Sequence, residues 1–268
     1  MGSDPKLGGK GPFRADQLRS GDPYELSAGH AIRCAPTGGR GSAANAAGIL
    51  PLSTDPAVLS AGVDTGFAPE PDMLRAPDIA IGNVPNEPGW VKGVPPLAVE
   101  YADGAQDEAT LATKIEDLLA HGTRFVWVVR LVGPRRVEVH EPGVPMDVAL
   151  PGAELRAPGV LANPVAVEAL YDPEVAMEAA LRNLLQRRGF ANLDAVRDAG
   201  VASGRMAGKA EGKAEGKAAS ILALLRLRGL VVPAEVEARV QATRDDAALD
   251  ALFARALAVA HAEELLAP

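Results

Sequence analysis

The chain predicts an α/β domain followed by an all-helical carboxy-terminal extension, and three observations carry that reading. Two apolar, strand-like stretches each hold a single embedded carboxylate, Leu74-Arg75-Ala76-Pro77-Asp78-Ile79-Ala80-Ile81-Gly82 and Pro95-Pro96-Leu97-Ala98-Val99-Glu100-Tyr101-Ala102. A short amphipathic helical pattern comes next and leads into a run of apolar, β-branched and aromatic residues. The last third of the chain carries a four-residue Glu-Gly-Lys repeat and further apolar-periodic segments.

A lone carboxylate in such a strand needs a counter-charge, because burying an ionised group is costly unless it is paired or bound to a cation. Two of them on neighbouring strands would repel unless something positive lay between them, and a divalent metal is the simplest candidate. Downstream, Leu111, Ile115, Leu118 and Leu119 form one apolar stripe, with Lys114 off its centre and Gly122 as the stop signal. Arg124 to Val132 reads as a strand buried on both faces. Arg135 to His140 alternates as a half-buried strand would. Trp90 and Val91 are expected to cap the hairpin between the two carboxylate strands.

Aspartate on one strand, glutamate on the next, a lysine on the following helix and a buried strand after it: this order resembles the PD-(D/E)xK nuclease superfamily. Within it the chain looks most like the Uma-type restriction endonucleases, through Tyr24-Glu25-Leu26, Pro77-Asp78, Val99-Glu100, Lys114, and Gly122 through Trp127-Val128-Val129. The likeness covers residues 14 to 171. It implies a restriction-endonuclease-like mixed sheet flanked by helices, and a metal-dependent endonuclease that hydrolyses DNA phosphodiester bonds.

On that resemblance Asp78, Glu100 and Lys114 are the catalytic residues. Asp78, Glu100 and the backbone carbonyl of Tyr101 would hold Mg²⁺ or Mn²⁺, hard cations that favour oxygen ligands. Lys114 would orient the attacking water or stabilise phosphate oxygens. The superfamily usually carries its lysine two residues after the glutamate, and that position is Ala102. Glu25 is a candidate auxiliary acid, its alternative being a surface residue on a short opening strand.

The chain departs from the family pattern at definite places. Tyr101-Ala102-Asp103-Gly104 stands where a Ser-Pro-Ser turn is usual, Leu118 replaces a tyrosine, Arg130 replaces an aspartate, and Arg40-Gly41 replaces a histidine at the start of the first long helix. Gly48, Pro51 and Pro56 are expected to shorten that helix. Gly38-Gly39-Arg40-Gly41-Ser42 lacks the ending of a phosphate loop and reads as a loop at the edge of the site. His30, His121, His140 and His261 have no ligand spacing.

At 268 residues the chain can bury a substantial core, built mainly from Leu, Val and Ala because aromatics make up only 4%. No stretch is long and apolar enough to span a bilayer, and residues 1–13 read as a disordered leader without a secretory apolar run. Cys34 is the single cysteine, a small hydrophobe at a strand end, which suits a reducing cytoplasm. Residues 1–175 carry net charge −9 and residues 176–268 net +1. Phosphate affinity comes largely from Lys and Arg, so DNA contacts would have to come from Arg124, Arg130, Arg135 and Arg136, or from the tail.

The nuclease-like domain is expected to end at 171, followed by connecting helices over 172–203. In the first of these, Glu174 to Arg188, Val175, Met177, Ala180, Leu181, Leu184 and Leu185 point inward, and Leu193 to Ala199 forms a second short helix. The repeat over 204–218 is a linker or a helix, since Gly204, Gly208, Gly212 and Gly216 each weaken a helix by about 1 kcal/mol against alanine. If ordered, its small-residue stripe should pack on another surface, most plausibly a second subunit, which makes a homo-oligomer. Residues 219–268 are three helices, the last a long one through Leu249, Leu252, Phe253, Leu257 and Leu265. The repeat also resembles tails of the recombination-promoting nuclease and transposase family. Two rival functions stand beside the nuclease: a catalytically inactive nuclease-fold module that binds a partner, and an assembly protein whose tail makes oligomers.

Overall fold

The computed structural model describes residues 11–104 and 108–266. They divide into two compact units, Met1–Asn192 and Leu193–Pro268. Most of the expected leader lies outside the described residues. Among the described residues, no helix is long and apolar enough to cross a membrane.

The first unit opens with a hairpin of β1 (Tyr24–Ser27) and β2 (His30–Arg33), with Cys34 exposed just past it, followed by α1 (Gly39–Ser53). Its centre is a six-stranded mixed sheet, in spatial and chain order β3 (Ala61–Val63), β4 (Ile79–Ile81), β5 (Leu97–Ala102), β6 (Phe125–Arg130), β7 (Arg136–Glu141) and β8 (Val144–Ala149). Neighbours are antiparallel except β5 and β6, which run parallel. A parallel pair needs a crossover, and α2 (Glu108–Ala120) supplies it.

Alternation along β5 sorts its side chains onto two faces. Leu97, Val99 and Tyr101 join Phe125, Trp127 and Val129 in the larger core with Ala44 and Leu52 of α1. Ala98 and Ala102 join Val126, Val128 and the α2 residues Leu111, Ile115 and Leu118 on the other face. Glu100 falls on this second face, between two alanines, which let α2 approach closely.

Helix α1 is not shortened: it runs 15 residues through Gly48 and Pro51. Pro51 stands in its last turn, where a missing N–H and a bulky ring disturb little helix beyond it. Gly48 serves close packing, since a Cβ there would collide with Tyr101 Oη. The glycine-rich segment is likewise no loop, because Gly38 is the helix cap and Gly39 to Ser42 form the first turn. Trp90 packs on the amino-terminal side of the unit with Phe13, Leu26 and Leu74, and its Nε1 donates to Ala15 O at 3.0 Å. It therefore caps that side rather than the β4–β5 hairpin.

Two short strands, β9 (Glu154–Leu155) and β10 (Val165–Ala166), precede α3 (Pro173–Arg187), which belongs to this unit. Asp172 caps α3 by accepting from Glu174 N at 2.9 Å. Ala180 is buried and Val175 packs on the core as expected, but Ala176 and Asn183 complete the inward face while Met177, Leu181 and Leu184, expected inward, are exposed. Polar clamping explains the reversal. Asn183 Nδ2 donates to Pro51 O at 2.9 Å and Arg187 Nη2 to Asp55 O at 2.6 Å and Val58 O at 2.7 Å. Short side chains on that face bring α3 against the end of α1 closely enough for these bonds.

In the second unit the segments expected separately at Leu193–Ala199, 204–218 and Ala219–Arg228 run as one 35-residue helix, α4 (Leu193–Leu227). Its carboxy-terminal portion buries Ala214, Ala218, Ile221, Leu222 and Leu225 against Val236 and Val240 of α5 (Ala234–Ala242) and Leu249 of α6 (Asp246–Ala256). A Cβ at Gly204, Gly208, Gly212 or Gly216 would meet nothing within 4 Å. Among the described residues, nothing packs on that stripe. Lys213 and Lys217 of the repeat each reach Asp246 at 2.8 Å. The expected long third helix stops at Ala256, whose carbonyl accepts from Arg228 Nη1 at 2.7 Å. The chain then turns on Glu264, which accepts from Ala260 N at 3.0 Å, and Leu265 returns to the core in a separate turn.

Candidate active site

Asp78, Glu100 and Lys114 come together on the α2 face of the sheet. The β4–β5 register pairs Ile79 with Val99. Carried one residue further, it sets Asp78 opposite Glu100 on the same face. The Asp78 carboxylate accepts from Tyr101 N at 2.6 Å. A strand residue directs its N–H and C=O to the same edge, so the Tyr101 carbonyl faces that edge too. The Tyr101 side chain turns the other way and donates to Leu170 O at 2.8 Å.

Lys114 is not at the margin of its helix stripe. It is buried with Leu111, Ile115 and Leu118 at the spacing of an inward face. A lysine survives there only when its ammonium is paired. Lys114 Nζ lies 2.8 Å from Glu100 Oε1 and 2.9 Å from Glu25 Oε1, and donates to Ala76 O at 2.7 Å. It approaches Glu100 Oε1 off the hydrogen-bonding direction, leaving that buried oxygen without a well-formed hydrogen bond. Glu25 is thus a buried member of the cluster, not a surface residue.

A second cation, which the sequence reading overlooked, completes the network. Arg75 is wholly buried and its Nη1 lies 3.1 Å from Glu25 Oε2. Its Nε donates to Asp117 Oδ2 at 2.9 Å, and Asp117 also accepts from Ser27 Oγ at 2.8 Å. Glu25 therefore bridges Arg75 and Lys114. Arg75 is held in place because Leu74 pairs with Leu26 of β1 while Arg75 pairs with Phe67. The available signal was a single arginine in an otherwise apolar run two residues before Pro77.

The charges do not cancel. Counted as fully ionised, four carboxylates, Glu25, Asp78, Glu100 and Asp117, face two cations, Arg75 and Lys114, a formal excess of two negative charges that the cluster relieves by holding protons. Burial pushes the Glu100 carboxyl up to about 8, although the Lys114 ammonium pulls the other way and Asp78 adds to the rise. Burial also raises Asp78, with Lys114 and the Tyr101 N–H opposing. Lys114 goes up despite its burial, because Glu100 and Glu25 hold it cationic. The donor set suits a hard divalent cation: oxygen ligands whose charge excess equals one such ion. Among the described residues, no group of three or more His, Cys, Asp or Glu side chains is arranged to hold a metal. A cation here would rely on two carboxylates, a carbonyl and water.

Arg40 and Asp103, both singled out in the sequence, pair just past the end of β5, where Arg40 Nε donates to Asp103 Oδ1 at 2.5 Å. The four arginines considered for DNA contact are already engaged. Arg124 donates to Gly159 O at 3.3 Å, Arg130 and Arg136 share Glu138, and Arg135 lies over the Tyr171 ring at 4.5 Å.

No family model matches the chain, and no curated protein matches it in sequence. Among solved structures, the chain is similar to the crystal structure of a candidate nuclease belonging to DUF820 from Anabaena variabilis, with a TM-score of 0.50 and 19% identity. The match covers 62% of this chain and 99% of that one. At this identity the likeness is one of fold, an α/β domain with a central mixed sheet flanked by helices.

Proposed function

We propose that the first unit is a metal-dependent DNA endonuclease whose site is formed by Asp78, Glu100 and Lys114. The observation that carries the reading is their meeting on one face of the sheet in a cluster with more carboxyl groups than cations. The fold shared with a candidate nuclease supports it. Asp78, Glu100 and the Tyr101 carbonyl would hold Mg²⁺ or Mn²⁺, which when bound supplies positive charge against the phosphate and an acidified water. Lys114, kept cationic by Glu25 and Glu100, would orient the attacking water or hold a phosphate oxygen. Arg75 fixes Glu25, and through it Lys114, so that the ammonium cannot swing out to solvent.

A second reading has one observation in its favour. Lys114 donates to Ala76 O and its ammonium lies within 2.9 Å of both Glu25 and Glu100, so it neutralises part of the cluster by itself. A catalytically inactive module of nuclease fold, binding a partner or assembling through its helical tail, would be built this way. Incubating the full chain with plasmid and with single-stranded DNA in Mn²⁺ or Mg²⁺ separates the two. The nuclease reading expects cleavage that EDTA and Glu100→Gln both abolish. Cleavage that persists in Glu100→Gln, or is absent with every substrate and metal, contradicts it.

A further inference from the structure

Beside the carboxylate cluster lies a cavity whose charged lining is two arginines and a glutamate. It sits at the carboxy-terminal ends of β5 and β6, measures about 230 Å³, and is lined by Ala102, Gly104, Glu108, Arg130, Val132 and Arg136. Ala102 and Gly104 leave it open by their small size. Arg130 and Arg136 are directly opposed in the β6–β7 register, an arrangement that repels unless an anion is shared. Glu138 is that anion, 2.9 Å from Arg130 Nη2 and 3.0 Å from Arg136 Nη2, with its side chain only 9% exposed.

The outer edge of Arg130 is held differently. Its Nη1 donates to Glu108 Oε1 at 2.6 Å and its Nη2 to Glu108 Oε2 at 2.9 Å, and Glu108 is 70% exposed. A guanidinium offers this same two-toothed geometry to phosphate. Its inner partner is buried and fixed, whereas its outer partner is a solvated side chain in the first turn of α2. Glu108 therefore stands where an anionic ligand would stand, and its carboxylate, 70% exposed against 16% for Arg130, regains water when it leaves.

We propose that this cavity is a phosphate-binding subsite, with Glu108 as its displaceable occupant and a phosphodiester of the nucleic-acid strand as its ligand. The identity of the ligand rests on the nuclease reading. Ala102, on the cavity wall, is two residues from Glu100 on the same face of β5, about 7 Å at the rise of a strand. A phosphate held by Arg130 and Arg136 would thus lie beside the carboxylate cluster and not inside it, fixing the strand next to the bond to be cut. With Glu108 in place, two glutamates balance two arginines and the cavity attracts no anion. Binding then depends on Glu108 leaving, which keeps an acidic protein from holding polyanions indiscriminately.

The test measures binding in EDTA, so that nothing is cleaved, with inorganic phosphate by calorimetry and a short single-stranded oligodeoxynucleotide by fluorescence anisotropy. The full chain is compared with Glu108→Gln, Arg130→Gln and Arg136→Ala; the last is a partly exposed position, so folding is retained if Arg130→Gln fails to fold. Glu108→Gln should bind both probes about tenfold more tightly than the unmodified chain, and either arginine substitution should remove binding of both. Unchanged affinity in Glu108→Gln, or binding that survives Arg136→Ala, overturns the subsite. Binding of inorganic phosphate with no gain for the oligonucleotide overturns the nucleic-acid ligand. If the expected binding pattern is found in a chain that never cleaves DNA, the subsite stands and the nuclease reading falls. If DNA is cleaved while the substitutions leave binding untouched, the subsite falls alone.

Discussion

Lys114 stands 2.8 Å from Glu100, and Lys213 stands 2.8 Å from Asp246, so by distance the two ion pairs are alike. Their surroundings are opposite: side chains 10% and 2% exposed in the first pair, 60% and 53% in the second. Water and salt screen the Lys213 pair, and such pairs contribute little. The Lys114 pair has lost its hydration, so each partner depends on the other and on Glu25 and Arg75. The comparison teaches that burial, not contact length, identifies which charges in this protein are costly to keep. Among the described residues the buried charges lie in the first unit, and the largest group of them gathers around Lys114, with Asp55 and Glu138 buried elsewhere.

Removing the buried cation should have the largest effect. Lys114→Met leaves Glu25, Asp78 and Glu100 with Arg75 alone, and urea unfolding should report a loss of about 3–5 kcal/mol. The double variant Lys114→Met with Glu100→Gln should recover much of it. If the single variant unfolds like the original chain, the buried pair is no different from the exposed one and the comparison breaks.

The next effect is a pH dependence. Glu100 has its folded value raised from 4.5 to about 8, so its contribution is fully present below 4.5 and is lost as pH rises through about 8. Asp78 is raised as well and acts in the same sense. Stability measured in EDTA should therefore fall across this window, on the order of a few kcal/mol, and Glu100→Gln should flatten the fall. Added Mg²⁺ should oppose it, since a bound cation lets both carboxylates ionise. A stability that rises with pH in EDTA would reverse the sign and contradict the placement of the charges.

Packing against the site should matter less. Gly48→Ala puts a Cβ into Tyr101 Oη and must displace the residue whose N–H holds Asp78. Thermal unfolding should show a loss of about 1–3 kcal/mol, together with weaker Mg²⁺ binding. A stable variant with unchanged metal affinity would mean that Tyr101 does not position Asp78. The smallest effect belongs to the exposed pairs: replacing Lys213 and Lys217 by alanine should leave the melting temperature unresolved from the original, and a clear drop would show that exposure is a poor guide here.

The strands around Asp78, Glu100 and Trp127 were legible because apolar runs bounded by Pro and Gly specify buried strands locally, and Gly122 marks the end of α2. The convergence of Asp78, Glu100 and Lys114 was legible only as an ordered set, since periodicity gives a face but not a partner. Lys114 looked marginal because a lysine is assigned to solvent by default, and only its neighbours in space show a buried position. Arg75 and Asp117 were missed for the same reason: Glu25, which joins Arg75 to Lys114, lies 50 residues away from Arg75 in the chain. The face of α3 was misread because hydrophobic size suggested Leu181 and Leu184, whereas Asn183 and Arg187 decide the packing through hydrogen bonds. In α4 the glycines suggested interruptions, yet the helix is continuous from Leu193 to Leu227, and only its second half, from Ala214, packs on α5 and α6.

The central claim is that the charge excess around Lys114 is a place for a divalent cation. Calorimetric titration of Mn²⁺ into the full chain at neutral pH, beside Asp78→Asn and Glu100→Gln, tests it directly. The expected result is saturable binding of one or two ions that both substitutions abolish while circular dichroism remains unchanged. Equal Mn²⁺ affinity in all three proteins, or none in any, would contradict it.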